Sequence, residues 1–136
     1  MAAGTPIELV KQATLADRRF AAAIVFGSQA RGTARLDSDI DLAVLMSKPF
    51  RLSEDYLDTL GVLCVTAQRD VHMVDLEGAS LELQRAIFKH GLTLFDRSAG
   101  KLSYIRKQSA INYVDAEFTR RILDEHLGRR LEQTLG

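Results

Sequence analysis

Short apolar runs alternate along the chain with stretches whose apolar residues recur at helical spacing. Thr5-Pro6-Ile7-Glu8 opens the first helix: Thr5 can cap, Pro6 suits the first helical position, and Glu8 completes a capping box. The pattern carries this helix to about Arg19. The run 21–26, stopped by Gly27, predicts a buried strand, and 39–46, closed by Ser47-Lys48-Pro49, predicts the next. Ser53 can cap a helix reaching about Gln68. The β-branched stretch 70–76 reads as a third strand, 80–90 as a helix with Gly91 just past its end, and 92–95 as a fourth strand. From about Lys101 to Leu135 the pattern is helical. Ile111, Val114, Phe118, Ile122 and Leu123, then Leu127, Leu131 and Leu135, form a stripe at three- and four-residue steps. Part of it can pack on the sheet and part can face another chain.

Alternating helices and strands with short connections predict an α/β fold: a small mixed sheet, flanking helices and a C-terminal helical segment over 101–136. The 136 residues suffice for a single domain with its own core. Eighteen basic and eighteen acidic residues balance, which argues against a general nucleic-acid-binding surface. Cys64 is the single cysteine, so no internal disulfide is possible, and its apolar neighbours suggest a buried thiol. No apolar run is long enough to span a membrane, and Pro6 and Glu8 interrupt a signal-peptide pattern. A cytoplasmic protein is expected.

The candidate chemistry lies between the first two strands. About a dozen residues, Gly27 to Ser38, are too few for a parallel crossover, so an antiparallel pair joined by a turn and a small helix is expected. Gly27 and Asp39 then share one edge of the sheet. Alternation puts Asp39 and Asp41 on one face, where two carboxylates repel unless a cation lies between them. Hard oxygen ligands of this kind suit Mg²⁺, with substrate phosphates completing the shell. Gly27 allows close backbone approach to a phosphate, and Ser28 adds a hydroxyl donor. Other motifs fail on spacing. Thr33 follows Gly32 where a P-loop needs lysine. In an EF-hand register beginning at Asp37, Leu42 takes the glycine position and Lys48 the glutamate position. A haloacid-dehalogenase-type Asp-x-Asp would follow its apolar strand, not precede it.

Gly27-Ser28, ten residues, then Asp39-Ile40-Asp41 resembles the signature of the polymerase-beta-like nucleotidyltransferases. The compact length, the stretch 74–96 and the helical close resemble the minimal nucleotidyltransferases, nearest to the MntA-type antitoxins of HEPN/MNT toxin–antitoxin pairs. The resemblance implies a palm-like fold and Mg²⁺-dependent transfer of AMP from ATP to a tyrosine of a HEPN ribonuclease toxin. By position, Gly27 and Ser28 would bind phosphates, and Asp39 and Asp41 the metal. One departure stands out. The family carries a third carboxylate on a later strand, which serves as general base; ungapped matching puts His72 there. Asp70, two residues earlier on the same face, is the other candidate, while Asp75 points to the opposite face. Histidine can also take a proton near neutrality.

The remaining polar residues are assigned to the surface: His90 at a helix end, His126, and Arg120, Arg121, Arg129 and Arg130 on the last helix. Arg31 and Arg35 lie in the motif loop, where phosphate contact is one option and solvation another. Two alternatives accompany the antitoxin-transferase reading. One is transfer to a small hydroxyl compound such as an aminoglycoside, for which the short chain leaves little room. The other is a non-catalytic antitoxin acting by occlusion, which His72 favours and the intact Gly27, Ser28, Asp39 and Asp41 oppose.

Overall fold

The computed structural model describes residues 4–27 and 38–135, with side chains to residue 128. Helix α1 (Pro6–Ala16) leads into β1 (Phe20–Phe26) and β2 (Ile40–Met46). Then come α2 (Tyr56–Ala67), β3 (Val71–Asp75), α3 (Leu81–His90), β4 (Leu92–Asp96) and the long α4 (Lys101–Leu135). The strands form one mixed sheet in the order β3-β2-β1-β4. β1 is antiparallel to β2 and β4, and β2 is parallel to β3.

The expected antiparallel pairing of the first two strands is therefore present. The small helix expected between them lies outside the described residues, as do Ser28, Arg31 and Arg35.

Strand alternation divides the core in two. Ile40, Leu42, Val44 and Met46 of β2 join Ala23, Val25, Val71 and Met73 under α1 and α2. Ala43 and Leu45 face the other way, joining Ile24, Leu76, Ile87 and Leu102 under α3 and the start of α4. Each fully buried Ile, Leu or Val contributes about 1.5–3 kcal/mol, so the central strands are held by burial on both faces.

Local chemistry sets the ends of the elements. The α1 capping box is formed: Glu8 N–H donates to Thr5 Oγ1 at 3.2 Å, and Thr5 N–H to Glu8 Oε2 at 3.3 Å. This helix stops at Ala16, three residues short of the expected Arg19. The Asp17 carboxylate accepts the Arg19 backbone N–H at 3.0 Å, offering the chain a turn in place of another helical bond. It also binds the Arg19 guanidinium, at 2.6 Å, which holds the Asp17 carboxyl below its ordinary value.

Ser53 does not cap α2. That helix starts at Tyr56 behind Asp55, whose φ of 53° is left-handed and whose side chain makes no capping bond. Ser80 does cap α3, its Oγ accepting the Leu83 N–H at 3.2 Å.

The C-terminal stripe needs a larger correction. Leu102 is buried and Ile105 partly buried against the sheet cluster, and Ser109 is buried too. Ile111, Val114, Phe118, Ile122, Leu123 and Leu127 are all exposed. So the residues of α4 that cover the sheet precede the stripe, and none of the described stripe residues reaches it. No described helix is long and apolar enough to cross a membrane.

Candidate active site

The register places the sequence motif at one end of the sheet. Phe26, the last residue of β1, pairs with Asp41, so Gly27 sits beside the entry to β2. Asp39 and Asp41 continue the alternation of Ala43 and Leu45 and share their face, the one covered further along by α3 and α4. Leu42, Val44 and Ile40 anchor the opposite face in the core, which fixes the direction of the two carboxylates.

Gly27 is required here for two reasons. Its φ is +71°, a conformation that side-chain-bearing residues rarely adopt. A Cβ at this position would also overlap Oδ2 of Asp41. The glycine thus leaves room for the Asp41 carboxylate, in addition to whatever backbone approach it offers a phosphate.

β3 brings its residues alongside in parallel register. Asp41 pairs with His72, and the Ile40 N–H donates to the Asp70 carbonyl at 2.9 Å. The His72 imidazole reaches across to Asp39, with Nε2 3.0 Å from Oδ2. Both side chains are open to solvent, 62% exposed for His72 and 51% for Asp39. An exposed pair of this kind contributes on the order of 0.5 kcal/mol, too little to be what holds the strands together.

The bond to Asp39 raises the His72 pKa, slight burial opposes this, and the charges of Asp39, Asp41 and Asp70 add to the increase. The His72 proton is thus held by the carboxylate that faces it. Asp39→Asn is expected to bring the His72 titration back toward the ordinary imidazole range, which NMR of the ring C–H signals would register; an unmoved midpoint would contradict this geometry.

Asp70 lies just ahead of β3 on the face of His72 and is exposed. Asp75 pairs with Val44 on the far side of the alternation, and its Oδ1 accepts the Glu77 N–H at 3.2 Å, so it takes no part at this edge. Cys64 is half-buried rather than fully buried, and its sulfur accepts the Val71 N–H at 3.4 Å. His90 and His126 are exposed. From the sequence His72 is either a proton acceptor or the mark of a non-catalytic chain; its bond to Asp39 depends on the parallel register of β2 and β3.

Among the described residues, no group of three or more His, Cys, Asp or Glu side chains is arranged to hold a metal ion. Two carboxylates on one strand face, one exposed and one half-buried, are the donor set that Mg²⁺ takes when substrate phosphates and water supply the rest. Asp39 and Asp41 fit that description. A closed structural metal site would need more ligands.

Residues 9–100 match the family model described as polymerase beta, nucleotidyltransferase, and the chain belongs to that family. The fold is also that of several solved toxin–antitoxin structures. One, a toxin–antitoxin with AMP-PNP, is 22% identical, covers 89% of this chain and 94% of its own, and superposes with a TM-score of 0.67. A second is an MntA–HpeT mutant with two aspartate-to-glutamate substitutions: 21% identity, 91% and 98% coverage, TM-score 0.70. A third is a tri-AMPylated Shewanella oneidensis HEPN toxin in complex with MNT antitoxin: 20% identity, 89% and 91% coverage, TM-score 0.61. No curated protein matches the sequence significantly.

Proposed function

We propose that this nucleotidyltransferase is an antitoxin that transfers AMP from ATP to a tyrosine of a HEPN toxin, in the cytoplasm, and so neutralises it. The observation that carries the reading is the shared face of Asp39 and Asp41 at the strand end, with Gly27 packed against Asp41. The likeness to toxin–antitoxin structures, one holding AMP-PNP and one a tri-AMPylated toxin, supports the choice of nucleotide and acceptor.

In this reading Asp39 and Asp41 would hold Mg²⁺, Gly27 and Ser28 would bind the phosphates, and the bound metal would supply charge neutralisation at the triphosphate. The tyrosine oxygen bonds to the α-phosphorus, the α–β bridging P–O bond breaks, and pyrophosphate leaves. The tyrosine proton needs an acceptor at the same edge. His72 is in register with Asp41 and touches Asp39, which favours it over Asp70 for this task. Its raised pKa works against it as a base for as long as Asp39 faces it. Engagement of Asp39 with a cation would relieve that opposition.

Incubation of the purified chain and toxin with ATP labelled in either the α- or the γ-phosphate tests the transfer. Toxin should retain α-label and no γ-label, and only with Mg²⁺ present; γ-label on the toxin would make the reaction a phosphorylation and overturn the reading. In the same assay His72→Gln should slow transfer about a hundredfold, the scale of a lost general base, and Asp70→Asn by no more than about threefold. Equal effects would remove His72 from that role. The second reading, occlusion without transfer, is favoured by one feature, the imidazole at the position of the family's third carboxylate. It predicts toxin silenced with no label of either kind.

A further inference from the structure

We propose that the cleft between α3 and α4 docks an acidic, apolar-faced helix of the partner protein; this rests on the reading that the chain acts on a protein. The two helices meet in antiparallel order: Glu82 faces Arg120, Arg85 faces Tyr113, and Phe88 faces Arg106. Between them lies a cavity of about 380 Å³ lined by Arg85, Phe88, Lys89, Arg106, Tyr113 and Val114 among others.

The charge around this cavity is one-sided. Among the described residues three cations line it and no carboxylate does, in a chain whose acidic and basic residues balance. Among the described residues none of the three is ion-paired, whereas Lys101 meets Glu77 at 2.9 Å and Arg121 meets Glu117 at 3.0 Å elsewhere on α4. The two arginines are also held in place. The Arg85 guanidinium lies 4.1 Å from the centre of the Tyr113 ring, and that of Arg106 lies 5.3 Å from the centre of Phe88. Stacking leaves the edge of a guanidinium free to donate two parallel hydrogen bonds, the geometry a carboxylate takes.

An apolar row leaves the cleft from Val114. Phe118 and Ile122 follow on successive turns, and the three are 63%, 63% and 49% exposed. A helix with carboxylates toward one end and apolar residues along the adjoining face satisfies both halves of this surface. A nucleic acid would leave the row uncovered. A second copy docked isologously through the cleft would bring the same three cations face to face. The position suits the proposed transfer. Gly91, just past α3, packs on Ile24 and Val25, one residue short of the Phe26–Asp41 pair. The Phe88–Arg106 end of the cleft, where the partner's carboxylates would sit, is therefore the end nearer the candidate site.

The test is the dissociation constant of the full chain with a cognate HEPN toxin, by calorimetry at low and high salt. Arg85→Glu with Arg106→Glu should weaken the complex thirtyfold or more, Val114→Asp should weaken it comparably, and Arg85→Met with Arg106→Met should flatten its salt dependence. ATP affinity and melting temperature should stay near wild type in all three, so a folding defect is separable. An undiminished complex in these variants overturns the docking surface and leaves the transferase reading standing. Absence of any wild-type complex overturns both. Wild-type dimers that become monomers in the Arg85→Glu, Arg106→Glu variant, or single-stranded RNA binding lost in it, would give the cleft to another occupant and overturn the proposal.

Discussion

Replacing Asp39 and Asp41 together by alanine is expected to abolish AMP transfer without unfolding the chain. The two carboxylates share a strand face at an exposed edge, and the buried face behind them is filled by Ile40, Leu42 and Val44. Stability resides in that buried row, so the substitution removes little of it. Among the described residues the bond lost is that of Asp39 to His72, which is exposed and contributes on the order of 0.5 kcal/mol. Relief of repulsion between the two carboxylates offsets part of that cost. In metal-free buffer Asp41→Asn alone should melt no lower than wild type. Added Mg²⁺ with ATP should raise the melting temperature of wild type and leave the double variant unmoved, since ligand stabilisation needs a site that binds. A fall of many degrees in the metal-free double variant would make these carboxylates structural.

The second large effect is expected at Gly27. Alanine there must adopt a φ near +71° and place its Cβ against Asp41 Oδ2. The conformational cost is about 1–2 kcal/mol. The collision is then relieved by turning the carboxylate, or the turn itself, away from its present position. Misplacement of this size at a reacting centre costs on the order of a hundredfold in rate, so transfer should fall much further than stability. Gly61 supplies the control. It lies inside α2 with open space where a Cβ would stand, and Gly61→Ala should raise stability by about 0.5–1 kcal/mol and leave transfer unchanged. Transfer and melting temperature measured on both variants decide the matter: equal activity losses, or none at Gly27→Ala, would contradict the role of that turn.

The sequence made the strands readable because their apolar runs are short and bounded by Gly27, Pro49 and Gly91, and α1 and α3 because Thr5 caps the first in the ordinary way and Gly91 follows the second. The start of α2 was not readable. Ser53 looks like a cap, yet the chain makes a left-handed turn at Asp55, a conformation that glycine would have signalled and that aspartate adopts only occasionally. The period of the α4 stripe marked an apolar face, but period alone cannot say whether the sheet reaches it; Leu102 and Ile105 do the covering, and the described stripe residues from Ile111 to Leu127 stay open. At the site, the spacing from Gly27 to Asp41 carried the antiparallel pairing and the shared face. The contact between His72 and Asp39 required the β2–β3 register, which is set by packing of α2 across the crossover and leaves no local trace. The stacked arginines of the α3–α4 cleft likewise arise from the crossing of two helices distant in sequence.

In the proposed function Asp39 and Asp41 serve transfer of AMP to a partner tyrosine. Intact-mass analysis of the toxin after co-expression tests it most directly. Toxin made with wild type should carry AMP-sized mass additions, located on tyrosine by fragmentation, and toxin made with Asp39→Ala plus Asp41→Ala should carry none and remain active. Toxin that is silenced by the double variant with no addition in either case would contradict the claim and leave binding alone as the mechanism.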